Sequence, residues 1–190
     1  MTTAPSPIKR QRADAQMNRL ALLAAATRVF GRHGFDAPLE LIAAEAGISR
    51  TSLYRHFPDR EALGFAIFDR NVLELETQAR AVEARPDGFL VLLELLMAHF
   101  VNSSGLADAL ASQSGPAARI AELRVRVVDA LTPALRRAQQ AGLIRDHLQP
   151  DDLHLMMDIF GGALVRGGPE LREQLARKTL RIVCDGMRSS

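Results

Sequence analysis

The sequence predicts an all-α protein, and three observations carry that expectation. Ala, Leu and Arg dominate the composition, whereas β-branched residues are sparse. Apolar residues recur at three- and four-residue spacing, and no segment alternates long enough to read as a strand. Gly and Pro fall between the periodic stretches, where they stop and start helices. About nine helices follow from this pattern.

Residues 1–12 are polar, basic and Pro-containing, and are expected to form a disordered arm. Lys9, Arg10 and Arg12 give that arm the charge to touch phosphate; a frayed terminus is the alternative. A first helix is expected over 13–32, with Leu20, Leu23, Ala24, Thr27 and Phe30 on one face and Gly34 as its cap. Pro38 opens a short second helix carrying Leu39, Ile42, Ala43 and Ala46. Gly47 ends it, and Ser49 is a good N-cap for a third helix anchored by Leu53 and Phe57. Pro58 closes that helix, and Asp59 caps a long fourth one over about 60–83. Five more helices are expected at about 89–103, 106–112, 117–141, 150–166 and 169–187, with a kink at Pro133. The domains are then a basic arm (1–12), a small three-helix head (13–58) and a larger helical remainder (59–190).

The totals bound the function. A chain of 190 residues with 47% hydrophobic and 24% charged residues has the composition of an ordinary soluble globular protein. Net charge is only +2, yet residues 1–60 hold nine Lys/Arg against five Asp/Glu. A basic first third implies a local polyanion contact. The single cysteine, Cys184, forms no disulfide within the chain, fits a reducing cytoplasm and reads as a packing residue. The start lacks the apolar core of a signal peptide, and the run "FLVLLELLMAHFV" is too short to span a bilayer. No nucleophile elbow, phosphate loop or metal-spaced His/Cys cluster is present, so neither an enzyme nor a metal site nor a cofactor is expected.

The second and third helices, joined by a short turn through Gly47, have the pattern of a helix-turn-helix. Spacing by four puts Arg50 over Tyr54 and Thr51 over Arg55 on the outer face. Arg50 and Arg60 each sit in the first turn of a helix, where a cation opposes the dipole by roughly 0.3–1 kcal/mol. A phosphate backbone nearby reverses that sign. Read alone, Tyr54 also fits a half-buried core position, His56 a cap and Arg55 a solvated surface.

The segment Ile42-Ala43, Ala46-Gly47-Ile48-Ser49, Leu53-Tyr54, His56-Phe57, Arg60-Glu61 and Leu63 resembles the DNA-binding domain of the TetR family of transcriptional regulators. The resemblance covers about residues 13–65. Thr51-Ser52 stands where the family often has Gly-Thr, and Arg60 where it has lysine. The resemblance implies that Ser52, Tyr54, His56 and Arg60 take positions on phosphates. It implies that Arg50, Thr51 and Arg55 reach base edges in the major groove. It implies a homodimer on a near-palindromic operator in double-stranded DNA, acting as a repressor released by a small-molecule effector, with the fourth helix as the lever.

The remainder adds candidates of its own. Phe89, Leu92, Leu93, Leu96, Met97, His99 and Phe100 share one long helix, and a pocket between it, the helix at 117–141 and the fourth helix would take a hydrophobic effector. In the helix at 150–166, Leu153, Met156, Met157, Phe160 and Leu164 form one apolar face and Leu155, Ile159, Gly162 and Ala163 another. With Ile182 and Val183 of the last helix, the second face is expected to build a four-helix bundle with a second copy. The rival functions are a non-specific DNA-binding protein and a protein-interaction module without effector control.

Overall fold

The computed structural model describes residues 7–103, 106, 110, 117–165 and 169–189. Among them are eight helices: α1 Pro7–His33, α2 Leu39–Ala46, α3 Arg50–His56, α4 Arg60–Ala81, α5 Gly88–Ser103, α6 Ala117–Gln140, α7 Asp152–Val165 and α8 Pro169–Met187. No strand occurs among the described residues, only one isolated bridge between Ile144 and Arg188. The helix expected over 106–112 lies largely outside the described residues, although Leu106 and Leu110 are buried.

The chain divides into two compact units, Met1–Ile67 and Phe68–Ser190. This division lies inside α4, whose Leu63, Phe65, Ala66 and Ile67 are buried. α1 begins at Pro7, earlier than expected. Proline suits a first helical position, and nothing between it and Ala13 breaks a helix, so the basic stretch from Lys9 to Arg12 is helical.

In the first unit, α1 packs on α2 and α2 on α3. The buried stripe of α1 is Leu22, Leu23, Ala25, Ala26, Val29 and Phe30, whereas Leu20 is exposed. The run from Leu20 to Ala26 is apolar nearly all round, so its spacing alone did not fix which side faces inward. Phe30 and Phe35 meet with ring centroids 5.2 Å apart.

In the second unit, α5 packs on α6, α7 and α8, and α7 packs on α8. Phe89, Leu92, Leu93, Leu153 and Phe160 are fully buried there. α6 runs through Pro133 without interruption. Gly88 starts α5 where a Cβ would lie 2.8 Å from the carbonyl oxygen of Val82, so the α4–α5 turn needs glycine for close approach. The chain end is tied to the α6–α7 connection: Arg145 N–H donates to the Met187 carbonyl (2.9 Å), and Ser189 N–H to that of Leu143 (3.3 Å). Cys184 is half-buried, and burial pushes its thiol above the ordinary value, away from reactive thiolate.

Candidate nucleic-acid interface

The turn between α2 and α3 is built by local chemistry. Gly47 sits at φ 66°, ψ 30°, a left-handed conformation that glycine adopts without steric cost. This lets Ile48 N–H return to the Ala43 carbonyl at 3.0 Å and stops α2. The Ser49 hydroxyl then accepts from Ser52 N–H at 3.2 Å and starts α3. Leu53 and Phe57, each 1% exposed, pin α3 to the unit; burying a side chain of that size contributes about 1.5–3 kcal/mol. The Asp59 carboxylate accepts from Ala62 N–H at 2.7 Å and caps α4.

What α3 leaves outside is Arg50, Thr51, Tyr54 and Arg55, all exposed, with Ser52 and His56 half-exposed. Tyr54 is 44% exposed, so it is not a core tyrosine. The seven sequence-derived candidates thus lie within one short stretch, but they are not equally free. Arg50 is held by Glu40, the acid in the first turn of α2, at 2.5 Å. Arg55 has no partner among the described residues. His56 lies against Phe57, with centroids 6.3 Å apart.

Arg60 departs most from expectation. Its Nη1 donates to the carbonyls of Phe35 and Ala37, the latter at 2.6 Å, and its guanidinium lies over the Phe35 ring. It braces the α1–α2 turn through that one nitrogen. Two residues that sequence spacing does not reveal also join this surface. Arg19 of α1 places its guanidinium 4.5 Å from the Phe57 ring centre, bringing a cation to the end of α3. Glu40 is the other. Both reach α3 from distant positions, and no local pattern marks them.

The rest of the basic bias is partly spent inside the unit. Arg28 and Arg32 both pair with Glu45, at 2.5 and 3.7 Å. The Arg28 hydrogen bond holds the Glu45 carboxyl below its ordinary value. Arg55 on α3 and Arg19 beside its end are left facing outward.

The second unit contains a cavity of about 430 Å³. Its walls come from α4 (Phe68, Asn71, Val72, Leu75), α5 (Leu96, His99, Phe100, Ser103), α6 (Ile120, Leu123, Arg124, Val127) and α7 (Met157, Asp158, Gly161, Gly162, Leu164). Of the α5 candidates, Leu96, His99 and Phe100 line it. Phe89, Leu93 and Met97 do not, and are plain core. α7 supplies a fourth wall that the sequence did not suggest, and Gly162, expected at a dimer interface, lines the cavity. On the outer side of α7 and α8, Leu155 is 60%, Ile159 44% and Ile182 70% exposed, while Ala163 and Val183 are half-buried.

Comparison with known proteins gives two family matches. Residues 22–67 match the "Bacterial regulatory proteins, tetR family" domain. Residues 86–189 match the "Transcriptional regulator SbtR-like, C-terminal domain". The chain is 29% identical over 160 residues to the HTH-type transcriptional repressor Rv1474c of Mycobacterium tuberculosis, covering 78% of this chain and 81% of that protein. It is similar to the crystal structure of the TetR transcriptional regulator SCO0520 from Streptomyces coelicolor, with 33% identity and TM-score 0.69, covering 90% of this chain and 99% of that one. A TetR regulator from Mycobacterium vanbaalenii gives 25% identity and TM-score 0.71, covering 94% and 99%. Among the described residues no helix is long and apolar enough to cross a membrane. With both of its units matched, and with a helix-turn-helix whose third helix presents Arg50, Thr51, Tyr54 and Arg55 outward, the chain belongs to the TetR family: it is a transcriptional regulator with a helix-turn-helix DNA-binding domain, and not an enzyme.

Proposed function

We propose that the protein is a homodimeric repressor of transcription, acting in the cytoplasm, that places two copies of α3 in successive major grooves of a near-palindromic operator. The observation that carries this reading is the exposed face of α3, held on buried Leu53 and Phe57. Arg50, Thr51 and Arg55 read base edges. Ser52, Tyr54 and His56 bear on phosphates, joined by Arg19. Arg60 contributes by fixing the α1–α2 turn and, through its remaining donors, by contact with phosphate.

The exposed Leu155, Ile159 and Ile182 support pairing of α7 and α8 with a second copy, because large apolar groups concentrated on one side are costly in a monomer. The cavity supports a small-molecule effector. α4 starts in the first unit and lines the cavity with Phe68, Asn71, Val72 and Leu75, so an occupant that moves those side chains acts on the helix that leads to the DNA-binding head. Operator and effector then weaken each other by the same factor.

Selection of bound duplexes from a random-sequence pool tests the reading. One recovered inverted repeat, bound by a sedimenting dimer, is the expected result. Recovery of no consensus, with binding that vanishes as salt rises, would instead indicate phosphate contact alone and a non-specific DNA-binding protein.

A further inference from the structure

The polar groups of the cavity are few, and their partners define what the cavity can hold. On the α4–α5 side, the Asn71 amide donates to the Ser103 hydroxyl at 3.1 Å. Among the described residues of this unit Ser103 is the buried polar one, 8% exposed. The pair still offers one hydroxyl proton and one amide oxygen, which is a neutral donor beside a neutral acceptor. His99, 13% exposed at its side chain, points Nε2 towards Glu74 at 3.4 Å. Burial holds its imidazole below the ordinary value, against the pull of Glu74, so it is uncharged at neutral pH.

On the α6–α7 side, the one cation of the described lining is already engaged twice. Arg124 Nη1 binds the Asp158 carboxylate at 2.7 Å, and Nη2 binds the His154 carbonyl at 2.8 Å. With side-chain exposures of 30% and 60%, the Arg124–Asp158 pair lies at the rim of the cavity. Such a pair is weak in stability terms. Its carboxylate is nonetheless tethered, so a free anion competes against a high effective concentration. Every other lining group is apolar or a glycine.

We propose, resting on the reading of this cavity as the effector site, that it takes an uncharged, largely apolar molecule with one hydroxyl, carbonyl or amide group met by the Asn71–Ser103 pair, and that Asp158 turns anionic ligands away by occupying Arg124. A carboxylate ligand finds no free cation among the described lining residues and adds a second negative charge beside Asp158. Burying it unpaired is costly, whereas an alcohol replaces its hydrogen bonds to water with those of Asn71 and Ser103.

Calorimetric titration of the full chain at pH 7.5 with decan-1-ol, decanoate and decyltrimethylammonium tests this. Decanol is expected to bind at least about tenfold tighter than either charged probe, the scale set by one unmet polar group. Ser103→Ala and Asn71→Leu should each weaken decanol several-fold at unchanged helical content. Asp158→Asn, a change at the rim, should strengthen decanoate relative to decanol. Decanoate binding as tightly as decanol to the unaltered protein, or indifference of decanol to both Asn71→Leu and Ser103→Ala, overturns the proposed class while leaving the effector site standing. Failure of all three probes to bind overturns the effector-site reading itself, and the class with it.

Discussion

α3 and α5 face opposite problems. α3 has seven residues and buries only Leu53 among them, so its polar face is what the packing of the first unit leaves outside. α5 has sixteen and buries Phe89, Leu92, Leu93, Leu96 and Met97, so its share of the cavity is space that the second unit leaves unfilled. The first site is made by side chains with nothing to pack on, the second by packing that stops short. A change of side chain on the outward face of α3 should therefore alter binding and spare stability. On α5 the two effects should separate only between neighbouring rows of the same helix.

Substitutions that pit those rows against each other give the largest effects. Phe89→Ala should cost about 3–5 kcal/mol, because Phe89 is fully buried core. Phe100→Ala should cost clearly less, because its ring already borders empty space and meets Phe160 edge-on at 6.1 Å. Equal losses in denaturant melts would erase the distinction between core row and cavity row.

Leu53→Ala should cost about 2–5 kcal/mol, felt by the first unit. Arg55→Ala should leave melting unchanged and remove about 1–3 kcal/mol of discrimination between operator and altered sequence. A drop that is the same on every duplex would instead mark Arg55 as a phosphate contact.

Glu40→Gln tests the pair that holds Arg50. Freed from Glu40, Arg50 should raise non-specific DNA affinity by a factor of a few, since an exposed ion pair is worth up to about 1 kcal/mol. Anisotropy on a scrambled duplex reads this directly, and no change would mean that Glu40 does not restrain Arg50.

The smallest effect concerns His99. Its folded-state value lies below the ordinary 6.5, so the unfolded chain binds the proton first. Stability from this group is full above about pH 6.5 and declines as pH falls below it. His99→Gln should flatten that decline in melts between pH 7.5 and 5.

The same contrast explains what could be read from the sequence. The head was legible because its signals are local: Gly47 for the turn, Ser49 for the cap, and a spacing of four that turns Arg50 and Tyr54 outward. Glu40, Arg19 and the turn-bracing place of Arg60 were not, since each depends on which distant residue the fold brings near. The two faces of α7 were legible as a division between buried Leu153, Met156 and Phe160 and exposed Leu155 and Ile159. The cavity row of α5 was not. That helix is apolar on nearly every side, so periodicity could not tell Leu93 and Met97, which fill the core, from Leu96 and Phe100, which border the void. The helix start at Pro7 is hidden by a basic, Pro-containing composition that resembles disorder, although the residues after Pro7 are good helix formers.

The outward face of α3 is expected to read sequence and not merely to hold phosphate. Affinities of the purified protein for its selected duplex and for a scrambled duplex, measured across a series of salt concentrations, test it most directly. Both affinities should fall as salt rises while their ratio stays at about a thousandfold or more. A ratio near one at every salt concentration would contradict it.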